Sequence, residues 1–217
     1  MPQLKTSPNF SFEKKIWRRG FKYACGVDEA GRGAWAGPIV AAACAFAPKF
    51  QIVEGLGIDD SKRLKPKKRE RLAAEIKKYA LVWSVAEIPV RVINKLGIGK
   101  ATAAAMRKAL KKLRRSKIFV LVDGFHVKYL TGGLKNQKAI THGDQKSISI
   151  AAASILAKVH RDKIMRRLGR NPRYKVYGWG RNKGYGTKLQ QKAILRYGLT
   201  RFHRKAFVKT WLAKKRS

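Results

Sequence analysis

The segment from Ile118 to Val122 restricts the fold most, because its five consecutive residues are all apolar. Such a run is typical of a strand that is covered on both faces, as in layered α/β proteins. It leads directly into Asp123-Gly124, and a second apolar run, Tyr23 to Val27, leads into Asp28-Glu29. The sequence therefore predicts an α/β sheet with acidic groups gathered at one edge.

Two further apolar runs, Ile39 to Phe46 and Leu81 to Ile88, predict additional strands. In the segments between the predicted strands, apolar residues recur at helical spacing, which predicts helices there. The predicted helices are Lys67 to Tyr79 behind Pro66, Thr102 to Arg115, a helix that opens at Asp144 as its N-cap, and Lys188 to Tyr197.

The length of 217 residues, with 45% apolar residues, suits one globular domain with an appendage. Residues 1–20 are polar and basic, and we expect an N-terminal arm outside the core. Residues 21–168 are expected to form the core, which ends near Leu168. Residues 169–217, rich at first in glycine and aromatic side chains, are expected to form a small basic accessory region.

Basic residues dominate the chain: 51 lysines and arginines face 12 acids, a formal charge of +39. This excess predicts a polyanionic partner, with nucleic acid as the leading candidate. The basic residues are spread over loops and several helices, which disfavours binding to a membrane surface. The uncharged stretch 33–48 is too short to span a bilayer and is broken by Gly37 and Pro38.

The two cysteines, Cys25 and Cys44, both lie within apolar runs. This placement indicates small buried side chains in a reducing compartment rather than a disulfide framework. The first residues show no signal-peptide pattern. We therefore expect a cytoplasmic protein, and we expect a monomer.

Four acids occupy informative positions: Asp28, Glu29, Asp123 and Asp144. Carboxylates gathered at a sheet edge repel one another unless cations compensate, and oxygen ligands of this kind suit Mg²⁺ or Mn²⁺. Two such ions about 4 Å apart can assist phosphodiester cleavage. Other interpretations stay open, since Asp144 can be a helix cap, Asp123-Gly124 a turn, and neighbouring strand residues point to opposite faces.

Several ordered blocks resemble the type 2 ribonucleases H, specifically bacterial ribonuclease HII. The blocks are Gly26-Val27-Asp28-Glu29-Ala30-Gly31-Arg32-Gly33 with Ala36-Gly37-Pro38, Asp60-Ser61-Lys62, Val122-Asp123-Gly124, Gly143-Asp144 with Lys146-Ser147-Ile148, Ala151 to Lys158, Arg161-Asp162, Lys183-Gly184-Tyr185-Gly186-Thr187 and His203-Arg204. This resemblance spans about residues 21–207. It implies a ribonuclease H-like fold, with a mixed central sheet flanked by helices and a small C-terminal helical region.

The resemblance also implies roles for single residues. Asp28, Glu29, Asp123 and Asp144 would be the catalytic, metal-binding carboxylates. The remaining implied residues bind substrate: Gly31, Arg32 and Gly33 read the 2′-hydroxyl, Tyr185 stacks beside the junction of ribonucleotide and deoxyribonucleotide, and Lys62 and Arg204 contact phosphates. His142 and Phe125-His126 depart from the residues common in the family. In a chain this basic, a histidine near the site is more often a hydrogen-bonding neighbour than a proton carrier, so His126 and His142 receive no catalytic role.

The implied activity is that of an endoribonuclease that uses two ions of Mg²⁺ or Mn²⁺. Its substrates would be RNA/DNA hybrids and duplex DNA with embedded ribonucleotides, which it would cut on the 5′ side to leave 3′-hydroxyl and 5′-phosphate ends. Only 27 residues precede Asp28, which disfavours ribonuclease HIII with its long N-terminal domain. The rival interpretations are a passive nucleic-acid-binding protein and a resolvase or transposase-like nuclease of the same fold.

Overall fold

Five strands form one mixed sheet in the computed structural model, which describes residues 7–48, 55–113 and 117–216. The strands are β1 (Tyr23–Ala30), β2 (Ile39–Ala45), β3 (Val82–Ile88), β4 (Ile118–Asp123) and β5 (Gln137–Ile140), in the spatial order β3-β2-β1-β4-β5. β1 pairs antiparallel with β2 and parallel with β4, and β3 is an edge strand antiparallel to β2. The predicted mixed sheet is confirmed.

Helices cover both faces of this sheet. Their bounds are α1 (Ser11–Arg18), α2 (Pro66–Tyr79), α3 (Val90–Leu96), α4 (Ile98–Leu113), α5 (Ile148–Arg170), α6 (Trp179–Asn182), α7 (Lys188–Tyr197) and α8 (Lys205–Arg216). The predicted helix Thr102 to Arg115 thus begins earlier, and its last two residues lie outside the described ranges.

Strand β2 is buried along its whole length because it faces a helical layer on each side. Ile39, Ala41 and Ala43 pack with α4, whereas Val40 and Ala42 pack with α2 and α5. Gly26 of β1 allows α5 to approach closely, since a Cβ there would lie 2.0 Å from the carbonyl carbon of Ser149. The apolar runs read as strands therefore form the two-sided core that their composition predicts.

The N-terminal segment contradicts its predicted exclusion from the core. Helix α1 packs against the sheet, and Phe10, Glu13 and Ile16 are buried. The expectation was wrong for this segment because a helix of about two turns with many basic and polar residues still presents one apolar stripe to the core. Residues 1–6 lie outside the described ranges.

Helix α5 begins later than the sequence predicts. Its N-cap is Ser147, whose side chain accepts a hydrogen bond from the backbone N–H of Ile150 at 3.3 Å. The N-cap role predicted for Asp144 is therefore wrong, and Asp144 lies instead in a short 3-10 turn, Gly143–Gln145. The Asp144 carboxylate is therefore not used to cap helix α5.

The C-terminal region packs around its own aromatic cluster. Tyr177 and Trp179 are buried and stack at 5.2 Å, and the cluster joins the core through Ala36 and Met165. The division into residues 1–20, 21–168 and 169–217 remains a prediction. Cys25 and Cys44 are buried and unbridged, and none of the described helices is long and apolar enough to cross a membrane.

Candidate active site

Three aspartates meet at one edge of the sheet. Asp28, Asp123 and Asp144 each present a carboxylate oxygen, and these oxygens lie within 4.8 Å of one another. Asp28 lies near the end of β1 and Asp123 ends β4, and the two strands are parallel neighbours with Val27 opposite Val122. The parallel pairing is what brings carboxylates that are distant in sequence into contact.

Backbone hydrogen bonds fix these carboxylates in place. The Oδ1 atom of Asp123 accepts a hydrogen bond of 2.7 Å from the N–H of Gly143, which ties the end of β4 to the turn that carries Asp144. Gly143 is closely confined, since a Cβ there would lie 2.6 Å from Cδ1 of Ile150. The Oδ1 atom of Asp28 accepts a bond of 2.6 Å from the N–H of Glu29.

The cluster carries more negative charge than its environment favours. Burial raises the pKa of Asp28 well above its usual range, and the charges of Glu29 and Asp123 raise it further. Burial also raises the pKa of Asp144, with Asp60 and Asp123 adding to the effect. Closely spaced buried carboxylates of this kind are stabilised by bound cations, so the donor set fits hard divalent metal ions.

Glu29 lines the same cleft but is not one of the three acids whose oxygens converge. Burial raises the pKa of its carboxyl, and the nearby charge of Arg32 acts in the opposite direction. Its assignment as a fourth metal ligand remains a prediction, whereas the other three carboxylates occupy one small volume.

Asp60 is an acid of this site to which the sequence analysis gave no role. Its side chain is buried, and its Oδ2 atom accepts a hydrogen bond of 3.3 Å from Gln145, beside Asp144. Its position within the Asp60-Ser61-Lys62 block was the one available signal. Lys62 itself is exposed, and its Nζ atom lies 3.9 Å from Oδ2 of Asp144.

A cleft of about 470 Å³ opens over the acids. It is lined by nearly all the residues predicted to act on substrate, which include acids, glycines and cations. These residues are Asp28, Glu29, Asp123, Gly31, Arg32, Gly33, Lys62 and Tyr185. Arg69, Ser154 and Lys158 also line it, although sequence reasoning did not single them out.

Arg204 does not face this cleft. It is fully buried, and its Nε, Nη1 and Nη2 atoms make five hydrogen bonds to the carbonyl oxygens of Gly31, Arg32, Gly37 and Pro38. An arginine has five N–H donors, so none is left for a phosphate. The predicted phosphate contact is therefore wrong, and Arg204 instead holds the loop that follows β1.

Arg161 supports the same loop from the other side. Its guanidinium donates to the carbonyl oxygens of Ala36, Pro38 and Lys183. Gly31 lies against it with a φ of +93°, and a Cβ at Gly31 would lie 1.9 Å from its Nε atom. Two buried arginines thus shape the Gly31 loop.

Tyr185 stands beside the cleft with 40% of its surface exposed. The guanidinium carbon of Arg161 lies 5.7 Å from its ring centroid. The Gln190 side chain donates hydrogen bonds to the carbonyl oxygens of Gly184 and Tyr185, which fixes the backbone on which the ring stands. The backbone at Tyr185 is therefore fixed by hydrogen bonds, and its side chain lines the cleft.

The N-terminal segment supports the acidic site from behind. The buried carboxylate of Glu13 accepts hydrogen bonds from the Ser147 hydroxyl at 2.6 Å and from the Ser149 N–H at 2.9 Å. Asn9 exchanges backbone hydrogen bonds of 3.3 Å with Lys146 and Ile148. The segment that leads from Asp144 into α5 is thus held by residues that were expected in an arm outside the core.

A family model described as Ribonuclease HII matches residues 25–210. Ribonuclease HII of Caldicellulosiruptor bescii is 44% identical over 204 residues, which cover 94% of this chain and 95% of that protein. Ribonuclease HII of Acholeplasma laidlawii is 44% identical over 202 residues, with 93% and 95% covered. Both alignments therefore cover nearly the whole length of this chain and of the relative.

Solved structures share the fold. The crystal structure of ribonuclease H2 from Pyrococcus horikoshii OT3 superposes with a TM-score of 0.70 at 24% identity, covering 85% of this chain and 93% of that one. A structure of Bst-RNase HIII in complex with Mn²⁺ superposes with a TM-score of 0.70 at 21% identity, covering 91% and 71%. The expected ribonuclease H-like fold is confirmed.

The extent of these matches and the convergence of the aspartates lead to one conclusion. The chain belongs to the ribonuclease HII family, whose members are RNase H endonucleases acting on RNA paired with DNA.

Proposed function

We propose that this protein cuts the RNA strand of RNA/DNA hybrids and nicks duplex DNA on the 5′ side of an embedded ribonucleotide, leaving 3′-hydroxyl and 5′-phosphate ends. The observation that carries the proposal is the convergence of the Asp28, Asp123 and Asp144 oxygens beside a cleft lined by glycines and cations. We further propose Mg²⁺ or Mn²⁺ as the cofactor, with two ions in the substrate complex.

Asp28, Asp123 and Asp144 would hold the ions, and Glu29 would complete the set. When bound there, divalent ions supply a water of lowered pKa and neutralise charge that develops on the cleaved phosphate. The binding of Mn²⁺ by a related ribonuclease HIII supports this choice. The raised pKa of Asp28 means that a bound cation competes with a proton for this carboxylate.

The loop Gly31-Arg32-Gly33 would recognise the ribose. A position without a side chain, such as Gly33, lets backbone groups approach a sugar closely. A Cβ at Gly33 would meet nothing within 4 Å, so the space in front of the loop is open to a ligand. The 2′-hydroxyl is the group that distinguishes RNA from DNA at this position.

Tyr185 and Lys62 would position the duplex. The half-exposed ring of Tyr185 can stack against a sugar or base at the edge of the cleft, and the exposed ammonium of Lys62 beside Asp144 can meet the phosphate. Arg204 is not part of this contact set, because its donors are all engaged.

A labelled duplex with a single ribonucleotide tests the proposal beside an all-DNA control, in Mg²⁺, Mn²⁺ or chelator. We expect metal-dependent nicking of the first duplex alone, immediately 5′ of the ribonucleotide. Equal cutting of both duplexes would favour a resolvase-like nuclease. Salt-sensitive binding without cutting in either metal would favour a passive binder. A monomeric, cytoplasmic state remains a prediction.

A further inference from the structure

A second groove lies along β3, the edge strand at the end of the sheet opposite β5. It has a volume of about 1040 Å³, and α2, α4 and α5 contribute side chains to it together with β3. None of its lining residues lines the catalytic cleft. We call it the basic groove; its lysines and its tryptophan are Lys77, Trp83, Lys108, Lys111, Lys112 and Lys163.

Charge and shape define what the basic groove can hold. Five lysines line it, and its described lining includes no aspartate or glutamate. Trp83 is 40% exposed at its floor, and the Nζ atom of Lys77 lies 5.0 Å from the centre of the ring. Ala73, Val85, Leu156 and Val159 supply an apolar base.

An exposed tryptophan within a row of lysines matches the chemistry of single-stranded nucleic acid. Bases stack on an aromatic face while cations follow the phosphates, and this mode is tolerant of sequence. We propose that the basic groove binds a single-stranded nucleic-acid segment, separately from the duplex in the catalytic cleft. Such a site would account for part of the net charge of +39, which the acidic catalytic cleft does not explain.

The edge strand itself argues against a polypeptide that would add to the sheet. The Nζ atom of Lys112 donates a hydrogen bond of 2.7 Å to the carbonyl oxygen of Val85, and Lys108 donates one of 3.4 Å to that of Glu87. These lysines occupy acceptors that an added strand would need. Their ammonium groups remain exposed on the groove side, where they can meet phosphates.

The register of strands β1, β2 and β3 places the basic groove close to Asp28. Asp28 is paired with Ala42, and Ala42 is paired with Val85, so two strand spacings, about 10 Å, separate β1 from the edge at this level. A single-stranded nucleic acid bound in the basic groove would therefore lie near the catalytic cleft without passing through it.

Fluorescence anisotropy of a labelled oligothymidylate of about twelve nucleotides tests the inference. This probe has no ribose and is not a substrate of the proposed nuclease. We expect Trp83→Ala to weaken binding about tenfold and Trp83→Phe to retain most of it. The combined change of Lys108, Lys111 and Lys112 to glutamine should lower the salt slope by about 2.

Matched controls decide the location. Changing Lys95, Lys100 and Lys135 to glutamine removes the same charge from exposed positions outside the groove and should cost much less affinity. An abasic oligomer of equal length should bind wild type and Trp83→Ala alike, because no base is present to stack. Lys62→Gln, in the catalytic cleft, should leave oligothymidylate binding unchanged.

Three results would overturn the inference. These are an unchanged Kd for Trp83→Ala, equal losses in the two triple-lysine variants, and displacement of the oligomer by poly-L-glutamate at lower concentration than by unlabelled oligothymidylate. The measurement needs no cleavage, so it stands or falls separately from the nuclease assay.

Discussion

The Nη1 atom of Arg204 donates a hydrogen bond of 2.7 Å to the carbonyl oxygen of Gly31, 173 residues earlier in the chain. A buried cation thus replaces water as the partner of loop carbonyls that would otherwise be unsatisfied. The C-terminal region therefore helps to shape the cleft, although the Arg204 side chain itself does not line it.

Replacing Arg204 should reduce stability rather than substrate affinity. Arg204→Lys cannot supply five donors in a planar fork. We therefore expect the free energy of unfolding, measured with urea, to be about 3 kcal/mol lower than in wild type. Lys62→Gln is the contrasting variant, with unchanged stability and a salt slope of duplex binding lower by about 1. A stable Arg204→Lys protein with weakened duplex binding would return Arg204 to the phosphate role.

Gly31 and Gly33 offer a matched pair. Gly31→Ala forces a Cβ to within 1.9 Å of Arg161 at a φ of +93°, and we expect a loss of about 2 to 4 kcal/mol in unfolding free energy. Gly33→Ala meets no atom within 4 Å and should change stability by less than about 0.5 kcal/mol. Its effect should appear in the ratio of nicking rates on ribonucleotide and all-DNA duplexes. Equal melting temperatures for the two variants would contradict the close contact.

Asp123→Asn should remove activity without harming the fold. Asparagine keeps an oxygen for the Gly143 N–H, while the loss of one charge relieves repulsion with Asp28. Nicking should fall by at least about 100-fold, and the melting temperature without metal should stay unchanged or rise. Mn²⁺ should raise the melting temperature of wild type and raise that of the variant less. A marked fall in metal-free stability would assign Asp123 a structural role.

His203 should make stability depend on pH. Burial lowers its pKa to about 4, its Nδ1 atom accepts a hydrogen bond from the Thr200 N–H, and its ring packs on Tyr177 and Trp179. The folded protein therefore holds His203 neutral, whereas the unfolded chain binds a proton below pH of about 6.5. Its contribution is present above that pH and is lost as the pH falls toward 4.

The comparison of wild type with His203→Asn isolates this effect, since asparagine can accept the same hydrogen bond and does not titrate. Urea unfolding between pH 4 and 7 should show about one proton fewer taken up on unfolding by the variant. Parallel pH profiles for the two proteins would exclude His203 as the source.

Glu13 should stabilise the segment between Asp144 and α5. Glu13→Ala leaves the Ser147 hydroxyl and the Ser149 N–H without their acceptor, and we expect a loss of about 1 to 3 kcal/mol in unfolding free energy at pH 7. Burial already raises the pKa of the Glu13 carboxyl, so Glu13→Gln, which keeps one acceptor and cannot ionise, should lose far less. Equal stability of Glu13→Ala and wild type would show that the segment needs no such partner.

The sequence predicted the central strands well, because five apolar residues from Ile118 to Val122 leave few alternatives to a covered strand. It also identified the acids, since carboxylates at the ends of buried strands converge when the strands are parallel neighbours. Short elements such as β5 escaped it. Gln137–Ile140 has only four residues and alternates too briefly to give a periodic signal.

Long-range hydrogen bonding explains the wrong assignments. The sequence around Arg204 does not distinguish it from an exposed arginine, because its hydrogen-bond partners Gly31 and Gly37 lie near the other end of the chain. Glu13 is likewise identified as buried only once Ser147 and Ser149 are placed beside it. Asp144 precedes an apolar helix as a cap would, yet it lies in the 3-10 turn Gly143–Gln145, and the cap of the helix is Ser147, three residues later.

The bond between Arg204 and Gly31 also has a consequence for biosynthesis. A ribosome that adds roughly 5 to 20 residues per second needs about 9 to 35 s to cover the 173 positions that separate them. During that interval the nascent loop has all of its own atoms but lacks the guanidinium that orders it. The loop at Gly31 therefore reaches its final hydrogen bonding only after Arg204 has been made, well after Asp28, Asp123 and Asp144 have been added to the chain.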